Sequence, residues 1–315
     1  MTDLWQVTDL WQPQALIWLL LMPAMLLQWL PSGTWPTRLQ QLPLTRHQLS
    51  WLLLVSALLS AVVLGALSIF TGVGLLLFLG LLRWCQQRQG YWQYALHAST
   101  IIACLALSLH LIPGFDNWLV LSQVQAGPES TFWSMYLNLD KPLALFILLW
   151  ILPQLGQLQP RWTLTGWRPA TAVVSPVEWL RWSCAILLAI ALLSALALAA
   201  GFIRWEPKLP SWWWLFLLNN LLLTCLVEEA FFRGYLQQQM QQKLGAWPAL
   251  VLASALFGLA HLGGGWLYAM LATLAGLLYG LIYLHTGRLW LAVLTHASLN
   301  FVHLCFFTYP WPLVR

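Results

Sequence analysis

Inside the run Leu221-Leu-Leu-Thr-Cys-Leu-Val-Glu-Glu-Ala-Phe-Phe-Arg-Gly-Tyr235, apolar enough to cross a bilayer, stand two adjacent carboxylates, Glu228 and Glu229, and one guanidinium, Arg233. A charge near the centre of a membrane helix costs roughly 2.5–3.5 kcal/mol, against about −0.5 kcal/mol for a leucine. Three of them in one helix have to be paired, or to face an interior lined by protein or water. Intramembrane charges of this kind usually mark a functional site.

The surrounding chain is 60% hydrophobic and 7% charged, with a mean hydropathy of +0.73. Soluble domains are about 25% charged, so the class is a polytopic membrane protein. The apolar runs are continuous and not alternating, which selects helices over a barrel, and the expected fold is an all-α transmembrane bundle. Candidate spans are Ala15–Leu30, Ser50–Phe70, Val73–Cys85, Tyr91–Ile112, Lys141–Leu155, Trp182–Gly201, Trp212–Leu236, Trp247–His261, Trp266–His285 and Leu289–Phe307. Several fall short of the roughly 20 residues of a full crossing. Val73–Cys85 reads as a re-entrant piece or as the kinked end of its predecessor through Thr71-Gly-Val-Gly74, so about eight to ten spans are expected. The loop Gly156–Pro176 is the expected boundary between an N-terminal transmembrane region of unknown role, residues 1–178, and a C-terminal core, residues 179–308.

Lys and Arg in the connections orient the chain. Arg38, Arg46, Arg83, Arg88, Arg161, Arg168, Arg181, Lys243 and Arg288 fall on one side, which the positive-inside rule makes cytoplasmic, with the N-terminus outside. Lys141, Arg204, Lys208 and Arg315 dissent. Asp3 and Asp9 precede the first apolar run in place of a basic region, so that run reads as a retained span and not a signal peptide. No lipid-anchor box is expected at Trp311-Pro-Leu-Val-Arg315. Compact loops and the lack of organelle signals suggest a bacterial cytoplasmic membrane. The formal net charge of +5 comes from scattered single residues and does not suggest nucleic-acid binding. Tryptophans at span ends (Trp212, Trp213, Trp214, Trp247, Trp266 and Trp290) read as interfacial anchors. Cys85, Cys104, Cys184, Cys225 and Cys305 read as small apolar packers without a disulfide framework.

Helix geometry divides the charges. Neighbours lie about 100° apart, so the two carboxylates cannot share a face. Glu229 and Arg233, at i and i+4, can pair. Glu228 is left to face a polar cavity as a potential general base. A purely ionic packing lock is the plainer alternative. Two later spans carry further polar groups: Phe257-Gly-Leu-Ala-His261 ends one helix in a histidine, and His296-Ala-Ser-Leu-Asn300 puts an imidazole and a carboxamide on one face of the last. His303 falls near that face. Each alone reads as a helix-end anchor or an interhelical hydrogen-bond device. Their joint presence is the signal.

The ordered set Glu-Glu-x-x-x-Arg (Glu228, Glu229, Arg233), Phe-x-x-x-His (Phe257, His261) and His-x-x-x-Asn (His296, Asn300) resembles the CAAX proteases and bacteriocin-processing enzymes. These are intramembrane endopeptidases, and the resemblance covers roughly residues 179–307. It implies peptide-bond hydrolysis in a water-accessible cavity of a membrane-associated protein or peptide substrate. Carried over by position, Glu228 would activate water, His261 would orient it, and His296 and Asn300 would stabilise the oxyanion. Glu229 belongs with the catalytic set, and with Arg233 would hold the constellation in shape, with Phe257 in support. The implied mechanism uses no cofactor. The alternative is a zinc ion held by Glu228, His261 and His296.

Two other classes remain: a non-proteolytic scaffold or immunity protein that keeps the fold, and a transporter using Glu228 and Arg233 as coupling charges. The latter ranks last because repeats and broken helices are not evident. Depth along the helices sits badly with the site. At about 1.5 Å per residue, Glu228 and His296 come to roughly 12 Å from the cytoplasmic ends and His261 to roughly 21 Å. That discrepancy requires Trp247–His261 to begin outside the membrane or to tilt. Asp116 and the segment Glu129–Asp140 read as a solvated polar island.

Overall fold

The computed structural model describes residues 12–29, 44–155, 161–163, 166–168 and 175–313. Its helices are α1 (Ala15–Trp29), α2 (Arg46–Val63), α3 (Ile69–Gln86), α4 (Tyr91–Ser108), α5 (Asp140–Ile151), α6 (Pro176–Ala199), α7 (Trp213–Leu244), α8 (Ala246–Ala260), α9 (Trp266–Thr286) and α10 (Leu289–Phe306). Among them α2, α3, α6, α7, α9 and α10 are long and apolar enough to cross a membrane, and α1 and α8 are apolar but shorter. The chain is a multi-pass membrane protein built as an all-α bundle. Asp3, Asp9, Arg38 and Arg315, and most of the expected boundary loop Gly156–Pro176, lie outside the described residues.

Two compact units divide the chain: residues 1–122 with 134–156, and residues 123–133 with 157–315. In the first, α1 packs on α2, and α5 on α3 and α4. Although α5 has only 12 residues, nearly all are buried, so it is a core helix of this unit. The α2–α3 break corrects the expected spans Ser50–Phe70 and Val73–Cys85. It falls at Leu64–Ser68, where Gly65 takes φ +78°, and Thr71-Gly-Val-Gly74 lies within the regular turns of α3. A positive φ stops a helix, whereas a glycine that keeps helical dihedrals only weakens one. The polar island also differs from expectation. Asp140 is buried, its Oδ2 2.7 Å from His110 Nδ1, and its Oδ1 accepts from the Lys141 backbone N–H at 2.9 Å.

Short strands stand where only loops are expected: β1 (Trp118–Gln125) pairs with β2 (Phe132–Leu137), and β3 (Arg161–Thr163) with β4 (Gly166–Arg168). The run Trp118-Leu-Val-Leu-Ser-Gln-Val-Gln125 is rich in strand-forming residues and is followed by Gly127-Pro128, the composition of a hairpin arm and its turn.

In the second unit a capping box starts α6: Ser175 Oγ accepts from the Glu178 backbone N–H and Glu178 Oε2 from the Ser175 N–H, with Pro176 as the first helical residue. The following helices α7 to α10 form the body of this unit, with α8 packed on α9 and α10 on α7 and α9. Gly258 makes the α8–α9 contact close: a Cβ there would meet Thr273 Oγ1 and come to 2.6 Å from the backbone carbonyl of Ala269. A backbone atom cannot swing aside as a side-chain end can. Gly258→Ala is therefore expected to destabilise the protein by about 1–3 kcal/mol, as overpacking does. Thermal unfolding in detergent measures it, and an unchanged midpoint would show that the helices separate freely.

Helix α7 continues eight residues past the expected end Leu236, to Leu244, before Gly245 (φ +83°) turns the chain into α8. Those residues add about 12 Å. They remove the depth discrepancy: Glu228 lies 16 residues before the end of α7 and His261 15 after the start of α8, so the two are level.

A polar cap closes the Ala199–Trp213 end of this unit. The Glu206 carboxylate accepts from the Glu129 backbone N–H at 2.6 Å and from Ser130 Oγ at 2.5 Å, and pairs with Lys208 Nζ at 3.0 Å. Backbone bonds Glu206 N–H to Phe306, Thr308 N–H to Arg204 and Leu313 N–H to Glu129 carry the same lattice to the C-terminal segment. The buried Ser130 thus belongs to a cap and not to a solvated face. Burial pushes the Glu206 carboxyl up, but the bonds from Ser130, Glu129 and Lys208 outweigh it and hold it below its ordinary 4.5. A carboxyl held low contributes stability above its unfolded value and loses it as pH falls through the folded one. Glu206→Gln is expected to cost about 1.5–3 kcal/mol at neutral pH. That deficit should shrink as pH drops below 4.5, and a deficit independent of pH would contradict the assignment.

Candidate active site

The charges of α7 occupy a helix with two wide, π-helical turns, Asn219–Cys225 and Ala230–Gln237, on either side of Leu226–Glu229. Such turns shift the phase of the side chains and recur at functional sites. Glu229 and Arg233 are both fully buried and pair as the spacing predicts, Arg233 Nη1 donating to Glu229 Oε1 at 3.1 Å. Arg233 Nη2 donates to the Gly276 carbonyl on α9 at 3.0 Å, and Gln237 Nε2, one turn on, to the Gly280 carbonyl at 3.1 Å. Two donors four apart on α7 thus meet two carbonyls four apart on α9. The guanidinium carbon also lies 4.5 Å from the centroid of the Phe257 ring, a cation–π contact in a dry interior.

Glu229 has a second partner. His296 Nδ1 lies 2.8 Å from the same Oε1, and the imidazole stacks on Tyr279 with centroids 4.6 Å apart and planes 16° apart. A carboxylate paired to arginine accepts and does not donate, so His296 Nδ1 carries the hydrogen and Nε2 is the nitrogen left for other contacts. His261 closes α8, its Nδ1 2.8 Å from the Phe257 carbonyl. A carbonyl only accepts, so here too Nδ1 is the donor and Nε2 keeps its lone pair.

His261, His296, Asn300 and His303 line one cavity of about 120 Å³, walled otherwise by apolar and aromatic groups, among them Tyr268 and Tyr279. The structure thus gathers three of the expected catalytic residues at one cavity, with Phe257 at its wall. Glu229 stands behind His296, out of the cavity. Glu228 is half-buried and differs from expectation: it is not part of this wall. Its charge acts on Tyr268, which is, and on Arg233. Among the described residues no three His, Cys, Asp or Glu side chains are grouped as a metal site. Asn300 Nδ2 donates to Asn220 Oδ1 at 3.1 Å and approaches Cys225 Sγ at 3.7 Å, while the Cys225 thiol donates to the same Asn220 oxygen at 3.1 Å. Cys225 is therefore a hydrogen-bonding group and not a plain packer. Likewise Trp212 is buried against Trp133, with ring centroids 5.5 Å apart, and is no interfacial anchor, whereas Trp266 is exposed.

Sequence reasoning missed Tyr279, Gln237, Asn220 and Tyr268. The first two had a signal: Gly276-x-x-Tyr-Gly280 spaces small residues four apart, the pattern that lets membrane helices approach closely enough for side chains to reach backbone carbonyls. Asn219-Asn220, a polar pair inside an apolar run, was another. Tyr268 had none, because its place follows from the turn at Gly263-Gly-Gly265.

The second unit thus places a buried Glu–Arg pair behind a histidine-lined cavity. Residues 210–302 match the family model of type II CAAX prenyl endopeptidases, Rce1-like. The match spans all three motifs, so this segment is an Rce1-like domain and its family is one of membrane proteases. No curated protein and no solved structure gives a match to the chain.

Proposed function

We propose that this chain is an intramembrane endopeptidase of the glutamate type, cutting a peptide bond in a membrane-associated protein or peptide. The observation that carries the reading is the convergence of His261, His296 and Asn300 on one cavity, with the Glu229–Arg233 pair buried behind His296. In the reaction, Glu228 takes a proton from a water that attacks the scissile carbonyl, and returns it to the leaving amine. His261 Nε2, a lone-pair acceptor, orients that water. Glu229 is a positioning residue that fixes the plane and protonated nitrogen of His296.

The oxyanion role sets a condition on His296. With Nδ1–H committed to Glu229, Nε2 can donate to an oxyanion only in the doubly protonated imidazolium. Asn300 faces a similar demand: one N–H has to leave the weak contact with Cys225 to reach the oxyanion. Both changes are small, and apo sites often tighten on binding substrate.

The test is the membrane proteome of cells lacking this chain and complemented with wild type or with Glu228→Gln. A membrane-linked precursor should accumulate without the protein, disappear with wild type and persist with the variant. Its disappearance in both complemented strains would remove Glu228 from the reaction, and no precursor at all would favour a scaffold.

A further inference from the structure

The first unit holds a second cavity of about 340 Å³, in the size range of small-molecule sites, roughly 300–1,000 Å³. It lies where the end of α1, the start of α2 and the ends of α3 and α5 meet, and is lined by Gln28, His47, Arg83, Trp51, Trp150 and Pro153. Gln28 is only 9% exposed. Its Oε1 is 2.7 Å from His47 Nδ1, and its Nε2 has no hydrogen-bond partner among the described residues. With the oxygen accepting from imidazole N–H, the amide donors are what remains. A buried amide N–H without an acceptor costs about 1–3 kcal/mol, and an acceptor supplied from outside would relieve it.

The charged groups at this place have the same polarity. Arg83 lines the cavity, and its Nη1 donates to Gln86 Oε1 at 3.0 Å, while Gln86 Nε2 is tied to the Ile151 carbonyl at 2.9 Å. Arg46, within electrostatic reach of His47, has a buried Nη1 that also lacks a partner among the described residues. Among the described residues no carboxylate lines the cavity. Two tryptophans frame it edge to face, Trp51 and Trp150, with centroids 5.6 Å apart. Donors without acceptors, cations without anions and an indole frame at the ends of membrane spans describe a site for a phosphate anion at headgroup depth.

We propose that this cavity binds a phosphate group, that of an anionic phospholipid headgroup, through Arg83, the Gln28 amide and His47. A soluble phosphate would use the same donors, and the two sources differ in what accompanies the phosphate. A lipid adds acyl chains lying along the exposed apolar face of α3, where Leu76, Leu77 and Leu81 stand out.

The full chain, delipidated in a non-ionic detergent, is titrated with short-chain phosphatidylglycerol, short-chain phosphatidylcholine and inorganic phosphate while its unfolding temperature is followed. Phosphatidylglycerol is expected to raise it saturably and phosphatidylcholine not. Arg83→Gln and Gln28→Leu are each expected to weaken the apparent affinity about 10- to 100-fold, the loss of one charge-assisted or buried bond. Arg88→Gln is the control: Arg88 lies over the Trp84 ring, 3.9 Å from its centroid, outside the cavity. Equal saturation by inorganic phosphate would keep the site and assign it to a soluble anion. Absence of stabilisation by either ligand overturns the proposal. So does a loss in Arg88→Gln as large as in Arg83→Gln, which would mean diffuse surface charge.

Discussion

Glu228→Gln is expected to lower the rate of precursor cleavage by about 10²–10⁴-fold, the usual contribution of a positioned general base. The substitution keeps the shape of the side chain and removes only its ability to take a proton. The fold should survive the substitution, because the hydrogen-bonded ion pair of this helix is made by Glu229. The unfolding transition in detergent should therefore stay cooperative, with a far smaller drop in midpoint than Arg233→Met gives, which separates a lost base from a lost structure. Glu228→Asp, with the carboxylate drawn back by one methylene, should retain a measurable fraction of the rate. Cleavage at the wild-type rate in Glu228→Gln would end the glutamate-type reading, and the lone pair on His261 Nε2 would then be the next candidate base. Because Glu228 is beside the cavity wall and not on it, the substrate-bound site also has to bring carboxylate and water together. A crystal or cryo-EM structure with a bound peptide analogue would show whether Tyr268 moves aside.

Much of this was legible in the chain because membranes make polar residues conspicuous. Glu229 and Arg233 could be paired from their spacing alone, since i and i+4 neighbours meet on any helix. The order of the three motifs then pointed to one cavity, and His261, His296 and Asn300 do share it. What could not be read was phase and length. The wide turns Asn219–Cys225 and Ala230–Gln237 displace side chains from the 100° rule used to set Glu228 apart from Arg233. The polar Gln238-Gln-Met-Gln-Gln-Lys243 tail of α7 looked like the end of a span, yet it stays helical. Apolar runs mark where a chain meets lipid, and a helix can outlast its apolar part. Contacts far apart in sequence were invisible for another reason: nothing in Ser130 or Glu206 announces that they meet across 76 positions.

The other large effect belongs to Arg233. Removing one member of a fully buried ion pair leaves the other charged and undersolvated, at a cost of about 3–5 kcal/mol. Arg233→Met should therefore lower the unfolding midpoint sharply. It strands Glu229 and leaves the Gly276 carbonyl without its donor from α7. A double variant, Arg233→Met with Glu229→Gln, removes both charges, and a neutral pair of similar volume is expected to recover most of the lost stability. Catalysis should not return with it. His296 would face an amide in place of a carboxylate, which can flip and no longer fixes Nδ1 as the hydrogen-bearing nitrogen. Stability recovered without activity would show that the pair orients His296 as well as holding α7 to α9. A double variant as unstable as Arg233→Met alone would show instead that the guanidinium acts mainly through Gly276 and the Phe257 ring, and that Glu229 is not what it compensates.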